Sequence, residues 1–263
     1  MNLEQIAEQA ISIIKDTGAF ARNERKTFSQ GVVETKGLHN FVSYVDTTCE
    51  KRLVEGLLRI VPQAGFIAEE GTGKPGEGLN WVIDPLDGTT NYIHGLSPYA
   101  VSVALMEHEE VLMGIVYEIG LDECFWAYQG GKAYMNGTTI RVSENRTVND
   151  SLIATGFPYY DYTRLESFFR TMDYFMRNSH GLRRLGSAAT DLAYVACGRF
   201  EAFYEYGLNP WDVAAGSLIV QYAGGKVSDF NGGANYIRGR EIVATNKEVF
   251  KEFKDIIQKI MEK

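Results

Sequence analysis

Three places in the sequence put carboxylates where a folded chain would not place them idly. Glu69-Glu70 closes the apolar run Phe66-Ile67-Ala68, Asp84 and Asp87 follow Trp81-Val82-Ile83, and Asp212 comes after Pro210-Trp211 at the start of a helical pattern. Acids at strand ends converge readily on one edge of a sheet. A cluster of this kind repels itself and raises its own pKa values, so a divalent cation is its natural partner. No His or Cys accompanies these acids, and an oxygen-only donor set points to magnesium, with calcium or manganese behind it. Each acid taken singly has a plainer reading as a turn residue, a helix cap or a solvated strand edge. The three together outweigh it.

The segment Asp84-Pro85-Leu86-Asp87-Gly88-Thr89-Thr90 divides its labour in a way that suits phosphate chemistry. Pro85 fixes a turn so that both Asp residues can face one point, Gly88 lets the backbone approach an anion, and Thr89 offers a hydroxyl beside them. A helix beginning here would add free N–H groups to the cradle. The chain contains no Gly-x-x-x-x-Gly-Lys and no Gly-x-Gly-x-x-Gly, which counts against a Walker-type nucleotide hydrolase and against dinucleotide binding.

The elements that must carry these residues can be read from periodicity. Leu3, Ile6, Ala7, Ala10, Ile13 and Ile14 predict an amphipathic first helix ending near Gly18. The stretch from Phe28 to Val45 reads as a hairpin or mobile loop, and Thr47-Thr48-Cys49-Glu50 reads as a capping box that opens a second helix at Asp46 or Thr47. Strands are expected at Phe66–Ala68, Trp81–Ile83, Tyr99–Glu107, Val111–Glu118 and Glu123–Tyr128, with a hairpin turn at Asn136-Gly137. Beyond it, helices are expected at 161–178, 187–197 and 213–223, strands at 200–206, 226–230 and 241–245, and a terminal helix opened by Asn246. Alternating blocks of this kind argue for layered sheets sandwiched by helices.

Composition narrows the class. The 263 residues carry 34 acidic against 26 basic side chains, a net charge of −8 that argues against a general nucleic-acid coat. At 45% hydrophobic and 23% charged, the chain is of ordinary globular composition. The longest nearly apolar runs, 99–106 and 111–119, fall far short of the ~20 residues of a membrane helix, and Met1–Ala10 lacks a secretory pattern. Cys49, Cys124 and Cys197 are odd in number and lack any C-x-x-C, which makes a reducing cytoplasm the simplest home.

Trp81–Asn91, Trp211-Asp212-Val213-Ala214-Ala215-Gly216 and the trailing Ala223-Gly224-Gly225 resemble the paired signatures of the inositol monophosphatase family, the magnesium-dependent, lithium-sensitive phosphatases. The resemblance extends through Phe66–Glu70, His180–Ala189 and Tyr204-Glu205 in the family's order. It implies an α-β-α-β-α sandwich with an α+β half over 1–143 and an α/β half over 144–263. It implies two to three Mg2+ held by Glu69, Asp84, the Leu86 carbonyl, Asp87 and Asp212. Asp46 is implied to work with Thr89 on the attacking water, although Val45 stands before it where the family has Ala or Thr. Gly88 and Thr89 correspond to phosphate donors, Gly186, Ser187 and Ala188 to a loop touching the polyol, and Glu205 to the acid that grips substrate hydroxyls.

The expectation is thus a cytoplasmic, homodimeric phosphomonoesterase for inositol 1-phosphate or a similar small polyol phosphate, with neither membrane nor nucleic acid as its main partner. Relatives with the same signatures act on 3'-phosphoadenosine 5'-phosphate, fructose 1,6-bisphosphate or histidinol phosphate, and a regulatory or RNA-binding member of the family is the rival from another class. A phosphoaspartate route is disfavoured by the spacing of Asp84 and Asp87 and by the second acidic site at Asp212. His94 and His180 read as structural, Lys36 as a solvated loop lysine or a basic residue over the site, Arg183-Arg184 as facing phosphate or a carboxylate, and Phe157-Pro158-Tyr159-Tyr160 as lining the site or a subunit contact.

Overall fold

The structure is a computed structural model that describes residues 1–27, 33–37 and 40–261, and side chains outside 28–43. Helix α1 (Leu3–Arg25) is capped by the Asn2 side chain, which accepts from the Gln5 N–H. It runs on past the expected stop at Gly18. A side chain there would strike the Tyr117 ring, so the glycine serves close packing rather than termination.

Strands β1 (Val33–Gly37) and β2 (Asn40–Ser43) pair antiparallel, as the hairpin reading expected. The Lys36 side chain lies outside the described residues. Helix α2 (Tyr44–Ile60) begins two residues before Asp46, which corrects the capping-box reading. The hydroxyls of Thr47 and Thr48 donate back to the Tyr44 carbonyl, and the Glu50 carboxylate leaves the helix to accept the N–H groups of Glu70 and Thr72, both at 2.7 Å. Long-range donors outcompeted the local box.

The larger sheet runs in chain order through β3 (Gly65–Ala68), β4 (Leu79–Asp87), β5 (Ala100–Glu107), β6 (Glu110–Glu118), β7 (Glu123–Tyr128), β8 (Tyr134–Met135) and β9 (Thr138–Thr139). Only β3 and β4 are parallel; the other pairings are antiparallel. Strand β4 is buried on both faces, which explains its nearly continuous apolar run. Its register with β5 slips between Asp84 and Asp87, where three steps on β4 meet two on β5. Pro85, unable to donate, sits in that bulge. Helix α3 (Thr89–His94) follows at once.

The smaller sheet has the order β11 (Gly181–Arg183), β10 (Leu152–Thr155), β12 (Ala202–Tyr206), β14 (Glu241–Thr245), β13 (Lys226–Ser228). Strands β10 and β11 went unrecognised in the sequence because each is short and flanked by polar turns. Helices α5 (Ala188–Ala196) and α6 (Pro210–Tyr222) pack between the sheets, α1 and α2 cover the outer face of the larger one, and α4 (Leu165–Asn178) and α7 (Phe250–Met261) that of the smaller. This α-β-α-β-α layering carries three apolar cores, the middle one joining Val82, Ala104 and Val116 to Leu192, Val213 and Ile219. Asn246 lies ahead of α7 and accepts the N–H groups of Glu248 and Val249 rather than starting the helix itself. Among the described residues no helix is long and apolar enough to cross a membrane.

Candidate active site

Both sheets and the central helices deliver side chains to one pocket of about 260 Å³. Glu69 comes from the end of β3, Asp84, Leu86 and Asp87 from the bulged end of β4, and Gly88, Thr89 and Thr90 from the entry to α3. The other half supplies Gly186, Ser187 and Ala188 ahead of α5, Glu205 from β12, and Trp211 and Asp212 from the first turn of α6. The anticipated pocket residues meet, and Asp46 reaches the site through Thr89, whose Oγ1 lies 3.1 Å from Asp46 Oδ1 and 3.0 Å from the Leu86 carbonyl. The Thr89 hydroxyl therefore hydrogen-bonds to Asp46 and the Leu86 carbonyl.

Each contribution has a local cause. The β4 bulge turns Asp84 inward, where Oδ1 accepts the Leu86 N–H at 2.9 Å and the residue is 2% exposed. Gly88 has φ +88°, and a Cβ would press on the Pro98 and Gly186 carbonyl oxygens at 3.0 and 3.2 Å, so this position demands glycine. Asp87 Oδ2 crosses to the other half, accepting from Ser187 Oγ and from the Ala189 N–H, both at 2.7 Å. Ser102 Oγ donates to the Trp211 carbonyl and pins the start of α6 to the larger sheet. Asp212 does act as a helix-capping acid, its Oδ2 accepting the Asn209 N–H at 2.6 Å, and it lines the pocket as well.

The electrostatics follow from this crowding. Burial, with Asp212 and Glu70 adding to it, pushes the Glu69 carboxyl up to about 8. Burial and the neighbouring acids drive Asp84 and Asp212 well above the ordinary carboxylate range. Asp87 rises only to about 6, because burial is opposed by Ser187, the Ala189 N–H and Arg184. Glu69 and Asp212 are enclosed by protein yet keep an open edge on the pocket, which is where a ligand would reach them. Among the described residues no three His, Cys, Asp or Glu side chains form a ready-made metal cage. The donor chemistry nevertheless fits a hard cation: oxygen-only, accessible on one side, and too crowded to be fully ionised without one.

Three groups escaped the sequence reading. Glu50 anchors the backbone next to Glu69, and its signal was masked by the apparent capping box. Asn91 donates from Nδ2 to the carbonyls of Pro98 and Leu185, tying α3 to the Gly186 loop. Asp191, fully enclosed with one oxygen unpartnered, stands out in the sequence only as a lone acid within the apolar run 188–196. Phe157, Tyr159, Tyr160 and Arg184 line the pocket, while His94 and His180 are exposed.

Fold and site together describe a layered α-β-α-β-α sandwich with an acidic pocket lined by residues from both sheets. The chain belongs to the inositol monophosphatase family, whose model matches residues 2–262. It is 38% identical over 229 residues to the inositol-1-monophosphatase of Rhizobium meliloti, 86% of each chain being covered. It is 40% identical over 232 residues to the Nus factor SuhB of Pseudomonas aeruginosa, again over 86% of each. The crystal structure of extragenic suppressor protein suhB from Bartonella henselae superposes with a TM-score of 0.90 at 34% identity, covering 98% of this chain and 99% of that one.

Proposed function

We propose that the pocket is a magnesium-dependent phosphomonoesterase site for inositol 1-phosphate or a similar small polyol phosphate. The observation that carries this reading is the meeting of Glu69, Asp84, Asp87 and Asp212, drawn from both halves, beside the Asp46–Thr89 pair. Those four acids and the Leu86 carbonyl would hold two to three Mg2+, which when bound would neutralise the phosphate and make water acidic enough to attack at neutral pH. Thr89 gives its hydroxyl proton to Asp46 or the Leu86 carbonyl, so its lone pairs face an incoming water and fix that water's direction. Asp46, 2% exposed, holds the threonine in that rotamer and can accept a proton relayed through it. The backbone of Gly88 and Thr89 would meet the phosphate, Glu205 would take hydrogen bonds from the alcohol, and Gly186, Ser187 and Ala188 would shape the passage between them. No residue need become phosphorylated.

The same reading keeps the division near 143/144, a cytoplasmic home and a homodimer as parts of the proposal. Phosphate release from inositol 1-phosphate, fructose 1,6-bisphosphate, 3'-phosphoadenosine 5'-phosphate and histidinol phosphate, with magnesium and with chelator, tests it. Magnesium-dependent preference for the inositol ester supports it in full, preference for another ester moves only the alcohol, and no release from any overturns it. The Nus-factor name of the Pseudomonas relative favours a second reading, a regulatory role in a transcription complex. RNA or protein binding that survives Asp84→Asn would support that role alongside or instead of catalysis.

A further inference from the structure

Arg184 has no part in the chemistry above, yet it lines the same pocket as Asp87 and Glu205 and acts on both carboxyls. Its guanidinium carbon lies 5.2 Å from the Phe157 ring centroid and 5.7 Å from that of Tyr159, and an Nη donates to the Tyr159 hydroxyl. Aromatic faces and a hydroxyl thus hold a planar, five-donor fork in one orientation, while Nε is left without a protein partner. Glu205, 7% exposed, is fixed just as firmly. A Cβ on Gly156 would overlap its carboxylate, so the glycine at the end of β10 is what allows the acid to lie against the chain.

The charges around this pair decide what it can hold. Arg184 is felt by Asp87, Asp191 and Glu205, and it pulls the Glu205 carboxyl back against burial and Asp87, leaving it at about 8. Arg184 thus shares its field among these three carboxyls and, among the described residues, forms a close ion pair with none of them. What remains is hydrogen bonding: a fixed donor fork beside a fixed acceptor. A hydroxyl both gives and accepts, and two adjacent hydroxyls complement such a pair, whereas an aromatic or alkyl alcohol leaves both partners unsatisfied.

We propose that Arg184 and Glu205 form a diol clamp, with Arg184 as the specificity-determining residue that selects phosphate esters of vicinally hydroxylated alcohols over esters lacking hydroxyls. This deepens the phosphatase reading and rests on it.

The test is the ratio of kcat/KM for inositol 1-phosphate to kcat/KM for phenyl phosphate, with magnesium, in wild type and in Arg184→Gln. The ratio should fall at least tenfold, mostly through KM for the inositol ester. Tyr159→Phe, which keeps the ring and removes only the hydroxyl bracing the fork, should lower the same ratio by about threefold, on the scale of one weakened hydrogen bond, and guards against a misfolded Arg184 variant. An equal loss on both esters would mean that Arg184 serves the phosphate, and an unmoved ratio that it serves only the fold; either overturns the clamp. A wild type that released phosphate from neither ester would overturn the phosphatase reading instead.

Discussion

Two groups of buried carboxylates in this molecule are treated in opposite ways. Outside the pocket lining, Glu118 accepts hydrogen bonds from Ser97 Oγ and from the N–H groups of Gly120 and Leu121, and Glu50 accepts two backbone N–H groups at 2.7 Å. In the pocket, Glu69, Asp84 and Asp212 crowd one another, Asp84 accepting the Leu86 N–H and Asp212 the Asn209 N–H. Asp87, with Ser187 and Ala189 as donors, is intermediate, its carboxyl rising to about 6 against about 8 for Glu69 and Glu205. Burial is common to both groups. The supply of donors differs, and it separates acids that hold the fold from acids held by it.

The comparison can be broken in several places. The largest effect is expected from Asp84→Asn, which should lower magnesium-dependent phosphate release on the order of a thousandfold while leaving the melting temperature in chelator unchanged or higher, since one repelling charge is gone. Near-normal turnover would detach Asp84 from the chemistry. Thr89→Ala should cost about a hundredfold in kcat, with most of the rate kept in Thr89→Ser; equal losses in both would show that the hydroxyl is not what matters.

Outside the pocket the direction reverses. Glu118→Ala leaves two backbone N–H groups and a serine hydroxyl without their acceptor and should cost about 2–3 kcal/mol in urea unfolding, with the activity of the folded fraction kept. If stability does not move, the contrast between the groups fails. The smallest effect is a pH dependence. The Glu69 carboxyl, raised from the ordinary 4.5 to about 8, favours folding when protonated, so that contribution is present at acid pH and is lost as pH rises through 8. In chelator the melting temperature should therefore fall by a few degrees between pH 5 and pH 8. Added magnesium should restore more at pH 8 than at pH 5. The opposite slope would mean that the pocket acids are already compensated within the protein.

Much of the site was legible because its acids sit at the ends of apolar strands. The alternation and turn chemistry around Trp81–Asp87 and Tyr99–Tyr128 placed these strands closely, and with them Glu69, Asp84 and Asp87. What escaped depended on partners distant in sequence. Glu50 looked like half of a capping box until the Glu70 and Thr72 N–H groups claimed it, and Gly18 looked like a helix end until the Tyr117 ring was found beside it. The Asp46–Thr89 contact was expected only through the family resemblance, since the two lie 43 residues apart and nothing local in the sequence joins them. Strands β10 and β11 carry too few residues for periodicity to register, though they bring Gly156 and Arg184 to the pocket.

The joint between Asp87 and the Ser187–Ala189 turn has a consequence for how the molecule is made. Asp212 leaves the ribosome roughly 120 residues after Asp87, a delay on the order of 10 s at ordinary rates of synthesis. During that interval the first sheet can assemble, but its acidic edge faces water with neither the serine that steadies Asp87 nor the Asp212 that joins it in the pocket. The pocket of a nascent chain is therefore open on one side, and its lining is complete only in the last third of translation.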